Sequence, residues 1–363
     1  MVARRSSSIV GSVAVSACLM AGVALLVVLP AAYIFPLQQH AATSDAPAIG
    51  TMRRSGILVA ATAALTAQAP PTAPAWADMA TPVATTTAIR GDVVALNNGM
   101  SFPKASFGLQ VYDDGTAQRL TETAIAVGYR NFFASVLANN QRGFAKGVKA
   151  SGVPREELFI CGTVLSNRAR GFESAYQETK RGCDDNLKAL AVGDITYVDM
   201  IMLDYPGPDC DSIMGQWKAF EEMLAAGTTK SLAVSNFSPD QLDCLLVDKA
   251  ATVPTVNQLP FSISYYDPNA VEDNRKRGIV VQSWAPLGGS TGGISLRARK
   301  ACEEVGKTYG KSWAQVALRW IVEKGGTFST QTKSKEHFVE DLNVFDFSLS
   351  DADLAKLAKV SRR

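Results

Sequence analysis

Eight short apolar runs, each followed by a helix-like stretch, predict a closed (β/α)8 barrel preceded by a β-hairpin. The runs fall at 105–111, 129–135, 158–165, 197–203, 230–236, 255–259, 279–287 and 327–332. Runs such as "LFICGTVL" and "YVDMIML" are almost continuously apolar. That pattern belongs to parallel strands buried on both faces. No G-x-G-x-x-G follows the first run, which disfavours the runner-up, a doubly wound open sheet.

Residues 1–77 read as a bipartite targeting leader. Its first part, 9–35, carries no charge and follows Arg4-Arg5; it is long enough to span a bilayer or to act as a signal. Its second part, 53–77, opens on Arg53-Arg54 and ends in Ala75-Trp76-Ala77, a small-x-small cleavage pattern. Two such signals in series resemble the leaders of thylakoid-lumen proteins in algae with complex plastids, in which the second segment takes the twin-arginine path. A single membrane anchor with an Ala/Pro/Thr linker, or a bacterial export signal, are the alternatives. Residues 78–92 read as a flexible lead-in and 93–363 as the barrel.

The stretch "VVALNNGMSFPKAS" predicts a β-hairpin with Asn98-Gly99 as its turn. Helical stretches then alternate with the apolar runs, among them "ESAYQETKRGCDDNLKAL", "GQWKAFEEMLAAG" and "KSWAQVALRWIVEKGG". Several end in glycine, a common helix stop.

Charge and composition exclude several function classes. The leader holds four of the 36 Lys/Arg and one of the 34 Asp/Glu, so 32 basic and 33 acidic residues remain after it. Such a balance argues against a nucleic-acid partner, which needs a clustered basic face. With only His40 and His337, histidine-based catalysis and metal binding have little raw material. The six cysteines form no C-x-x-C pair, so buried thiols are the expectation. A disulfide involving Cys210 stays open if the compartment is oxidising.

The stretches "LNNGMSFP", "GYR", "SGVPREELFI", "YVDMIMLDYP", "SLAVSNFSPDQL", "VNQLPF", "SWAPLG" and "SWAQVALRW" stand in this order along 96–320. With "DLNVFDFSLSDADL" at 341–354, they make residues 93–357 resemble the aldo/keto reductase family. The resemblance implies a TIM-type barrel that binds NADPH and passes hydride to a carbonyl. In that chemistry a tyrosine supplies the proton, a lysine–aspartate pair tunes the tyrosine, and a histidine orients the substrate. Carried onto this chain, the aspartate position is Phe133 and the tyrosine position Ala138, or Leu137 if the loop shifts by one. The lysine position is Thr163 and the histidine position Asp204. All four proton-transfer positions are changed, so no catalytic residue is assigned and the expectation is a barrel that has lost carbonyl reduction. The runner-up is a divergent NADP-dependent oxidoreductase. Phe132 and Phe133 are expected to fill a collapsed pocket.

The resemblance also places cofactor contacts. Ser235, Asn236 and Gln258 match the residues that hold the nicotinamide amide, Trp284 the aromatic that stacks on its ring, and Glu340 an adenine contact. At the phosphate end Gln331 stands for a lysine and His337 for an arginine. NADP is therefore expected to bind weakly at best, and no metal is expected. A thylakoid membrane or a lumenal protein complex is the expected partner, alongside a small-molecule ligand of unknown identity. Asp204, Cys161, Cys210, Tyr112, Tyr205, Tyr265 and Tyr266 are the groups from which a different chemistry could be built.

Overall fold

The computed structural model describes residues 92–248, 250–288 and 293–361. The expected leader, with its membrane-spanning or signal segment at 9–35, lies outside them, as does nearly all of the lead-in. Among the described residues no helix is long and apolar enough to cross a membrane.

A short antiparallel pair opens the fold, β1 (Val93–Ala95) against β2 (Ser101–Pro103). The hairpin closes as the sequence predicts: Gly99 N–H donates to Leu96 O at 2.9 Å, and Gly99 takes a φ of 84°. Eight parallel strands then close into a barrel. They are β3 (Ala105–Gly108), β4 (Asn131–Ala134), β5 (Phe159–Val164), β6 (Met200–Leu203), β7 (Leu232–Ser235), β8 (Val256–Pro260), β9 (Val280–Trp284) and β10 (Thr327–Thr330). The circle shuts between β10 and β3, with Phe328 opposite Ala105. Seven of the eight strands lie inside their predicted runs, and β8 extends one residue past its run, to Pro260. Residues trimmed at the C-terminal ends, such as 109–111 and 331–332, belong to the loops of the barrel mouth, and those trimmed at the N-terminal ends to the loops below.

The helices form the outer ring: α1 (Asp114–Val127), α2 (Gln141–Ser151), α3 (Phe172–Leu190), α4 (Cys210–Ala225), α5 (Pro239–Leu245), α6 (Pro268–Lys276), α7 (Leu296–Tyr309), α8 (Trp313–Glu323), α9 (Lys335–Leu342) and α10 (Asp351–Ala358). Their starts are written in capping side chains. Asp113 accepts from Thr116 N–H and Asp209 from Ser212 N–H, while Ser238 and Ser312 form reciprocal capping boxes with Gln241 and Gln315. At the end of α1, Gly128 turns left-handed at φ 113° so that its chain can enter β4.

Two apolar clusters hold the fold. The larger lies between strands and helices; there Phe132 meets Phe144 at 5.7 Å between ring centroids. The smaller fills the barrel lumen with Phe133, Phe159, Met200, Met202 and Val256, plugged from below by Leu96 and Phe102 of the hairpin. Phe132 and Phe133 thus face opposite sides of β4, as successive strand residues must. The expectation that both fill the pocket is corrected. Phe133 fills lumen; Phe132 packs the outer layer.

The disulfide left open at Cys210 is present. Cys210 at the start of α4 and Cys244 in α5 form a disulfide across a sequence separation of 34. Cys161, Cys183 and Cys302 are buried thiols as expected. Adjacent packing of α4 and α5 brings the bonded pair together.

Candidate functional site

The C-terminal ends of the strands enclose a cavity of about 540 Å³. This is the end at which barrels of this architecture carry their sites. The cavity is open: Phe133 stops in the lumen below and does not close it.

Four side chains expected at a nicotinamide do meet on its wall. Ser235 ends β7, Gln258 lies beside it in β8, and Trp284 ends β9. Asn236 follows β7 with a φ of 64°, a conformation asparagine tolerates better than most residues. Its amide nitrogen donates to Ser235 Oγ at 3.0 Å and to Asp204 O at 3.1 Å, and its Oδ1 accepts from Trp284 Nε1 at 3.1 Å. Asn236 therefore ties the indole of Trp284 to the backbone of Asp204. Gln258 Nε2 donates to Gln282 Oε1 at 2.7 Å. Gln282 was not singled out in the sequence. The β8–β9 register, which sets it opposite Gln258, is what reveals it.

The positions matching the proton-transfer groups look different. Thr163 is fully buried in β5. Its hydroxyl accepts from Val136 N–H at 2.9 Å, and its carbonyl accepts from Asn186 Nδ2 at 2.6 Å. Thr163 anchors the loop after β4. That loop is a single 3-10 turn, Val136–Ala138. It leaves Ala138 half-buried and presents Leu137, 55% exposed, to the cavity.

Asp204 follows β6 and lines the cavity, yet is only 7% exposed. Its backbone N–H donates to Val164 O. No hydrogen bond or ion pair among the described residues reaches its carboxylate. Burial pushes this carboxyl up to about 6 from 3.8, because a charged form deprived of water is disfavoured. Burial and the neighbouring Asp204 together push the Tyr205 phenol up.

The opposite end of the cavity is formed after β10 and on α9. Gln331 Nε2 donates to Gln110 Oε1 at 2.6 Å, and His337 Nδ1 lies 3.2 Å from Thr332 Oγ1. Glu340 lines the cavity while its carbonyl accepts from Gln315 Nε2 at 3.0 Å. Its neighbour Asp341 is buried, and Tyr129 O–H donates to it at 3.3 Å. Burial raises the Asp341 carboxyl to about 6, despite the hydrogen bonds from Thr330 and Tyr129 that oppose this. Among the described residues lining the cavity, His337 is the one basic side chain, against three carboxyls at Asp204, Glu340 and Asp341.

The remaining candidates disperse. Cys161 is buried in the lumen, its thiol raised by burial and by nearby Asp204 and Asp199. Cys210 is in the disulfide. Tyr112 is buried against Phe107, outside the cavity lining, and burial pushes its phenol up to about 12. Tyr265 is exposed and Tyr266 stacks on Phe261; neither lines the cavity. Only Tyr205 and Asp204 join the four expected contacts, together with Trp313 from the start of α8, which sequence reasoning missed. No group of three or more His, Cys, Asp or Glu that could hold a metal ion occurs among the described residues.

Comparison with known proteins agrees with this architecture. The model of the aldo/keto reductase family matches residues 99–362. A morphine 6-dehydrogenase of Pseudomonas putida is 31% identical over 277 residues, covering 74% of this chain and 90% of that protein. A glyoxal reductase of Bacillus subtilis is 30% identical over 274 residues, covering 75% and 93%. The crystal structure of an aldo/keto reductase from Brucella melitensis superposes with a TM-score of 0.65 at 26% identity, over 74% of this chain and 98% of that one. The family generally uses NADP(H). This chain, with its closed eight-stranded parallel barrel, belongs to the aldo/keto reductase family.

Proposed function

We propose that this barrel has given up carbonyl reduction and keeps its mouth as a binding site, serving a scaffold, assembly or ligand-sensing role. One observation carries the reading. At the four places where the family's proton transfer is expected stand Phe133 in the lumen, Ala138 in a 3-10 turn, Thr163 tied to Val136 N–H, and an unpartnered Asp204. General acid–base assistance is worth about 10²–10⁴-fold in rate, and Phe133 and Ala138 can give none. Above pH 6 Asp204 is a carboxylate. A negative group in the mouth opposes the negative charge that grows on a carbonyl oxygen as hydride arrives.

The cofactor reading is divided in the same way. Ser235, Asn236, Gln258 and Trp284 stay together and suit a nicotinamide. The phosphate end does not suit the rest of the molecule, since Gln331 and His337 replace charge-assisted partners worth about 3–6 kcal/mol together. That weakens NADPH by about two to four decades.

A second reading, a divergent NADP-dependent reductase, is favoured by the raised Asp204 carboxyl. With its value near 6, this group still holds a proton at mildly acidic pH and could give it to a carbonyl. The test is NADPH oxidation by the purified protein with methylglyoxal and a panel of aromatic aldehydes, at pH 5.5 and 7.5. The first reading expects no carbonyl-dependent turnover at either pH. Turnover at pH 5.5 that is abolished in Asp204→Asn would establish the second.

The disulfide suits the oxidising compartment that the leader suggests. Lumenal placement and a protein partner are part of the proposal. Both are checked by fractionation and by co-purification with thylakoid complexes.

A further inference from the structure

The mouth pairs an apolar, aromatic wall with carboxyls, and one of those carboxyls is without a partner. Asp204 is 7% exposed and lines the cavity, and its carboxylate receives no hydrogen bond or ion pair from any described residue. A buried carboxylate in that condition is costly unless something pairs with it. Its surroundings say what could. Trp284, tied to the backbone of Asp204 through Asn236, stands in the same cavity wall. Tyr205, Trp313 and Leu137 extend the apolar wall. Glu340 and Asp341 add carboxyls at the far end, where His337 is the one basic lining residue among those described.

From this arrangement we infer that the cavity binds an organic cation, an amine with an aromatic or apolar body whose ammonium pairs with Asp204 while its body packs against Trp284. An ammonium supplies both donors and charge to the carboxylate, and it is attracted to the face of an indole. A cavity of about 540 Å³ takes a molecule of two or three rings. The same surface repels the phosphates of a dinucleotide. The inference rests on the reading that the mouth no longer serves hydride transfer, and it names the ligand class that the mouth serves instead.

The test is calorimetric titration of the purified protein at pH 7.5 with three matched probes. Tryptamine carries the charge, tryptophol is the neutral counterpart, and indole-3-propionate is the anion. Tryptamine is expected to bind about 10–100-fold more tightly than tryptophol, the range of one charge-assisted bond, and indole-3-propionate more weakly than both. Asp204→Asn is expected to remove the preference for tryptamine while leaving tryptophol binding within about threefold, a small difference on the free-energy scale. As a second variant, Gln331→Lys with His337→Arg changes exposed positions; it is expected to weaken tryptamine by placing cations in the mouth. Equal binding of tryptamine and tryptophol overturns the inference and leaves the loss of reductase activity standing. So does a tryptamine preference that survives Asp204→Asn. Tight NADPH binding with carbonyl-dependent oxidation overturns both.

Discussion

Replacing Asp204 by asparagine should make the protein more stable at neutral pH, by an amount set by the mouth itself. The carboxyl ionises near 6 in the fold and near 3.8 in the unfolded chain. A difference of about two pH units corresponds to a ceiling of about 3 kcal/mol at 1.36 kcal/mol per unit. The sign follows from proton counting. Between pH 3.8 and 6 the folded chain keeps a proton that the unfolded chain releases, so the native state loses stability as pH rises through that window. Above pH 6 the loss is complete, and below 3.8 it is absent. Asparagine removes the charge but leaves an amide to be hydrogen-bonded, which reduces the gain to about 1–2 kcal/mol. Asp341 titrates in the same window but is common to both proteins and cancels from their difference. Urea denaturation at pH 4, 5, 6 and 7.5 measures the gap, provided the slope m is unchanged. The variant should be ahead at pH 7.5, lose that lead as the pH falls, and stand level with or behind the parent near pH 4. A variant no more stable than the parent at pH 7.5, or a gap that does not shrink with acid, refutes the account of Asp204 as an unpaired buried carboxylate.

Three further outcomes are expected. Thr163→Val strands the buried N–H of Val136 and should cost about 1–3 kcal/mol in urea denaturation; an unchanged midpoint would mean that the loop has another anchor. Opening the Cys210–Cys244 bond, by reductant or by a double serine variant, releases a loop of 34 residues and should lower stability by about 3–4 kcal/mol, read as a fall in Tm. Gln331→Lys with His337→Arg should tighten NADPH by about two to four decades in a calorimetric titration. No gain there would show that the cofactor has lost more than its phosphate partners.

The strands were legible because burial on both faces leaves few polar residues in a run, and "FICGTV" in β5 shows this plainly. Their ends were not, because a mouth loop inherits the same apolar residues: Leu165 and Tyr205 follow strands without belonging to them. The start of α4 was read too late, at Gly215. Asp209, which caps the helix six residues earlier, is a signal the apolar periodicity does not contain. Phe132 and Phe133 were grouped in error, although the period of two along a strand separates them. In the site, Ser235, Asn236, Gln258 and Trp284 could be placed by their local motifs. Gln282 and Trp313 could not: strand register sets Gln282 behind Gln258, and a helix end brings Trp313 over the barrel to the cavity. The pairing of Cys210 with Cys244 likewise depends on helix neighbours that no local pattern fixes.

The division between the two apolar clusters below and the mouth above has an evolutionary consequence. The residues that keep this barrel folded, such as Phe133 in the lumen and Phe132 and Phe144 outside it, are not those that line the mouth. Mutations at the mouth therefore draw little on the free energy that holds the sheet together. A lineage can discard one chemistry, drift, and acquire another occupant without passing through an unfolded ancestor. In this chain the rim carries a loop anchor at Thr163 and a buried acid at Asp204, while the two clusters below stay intact.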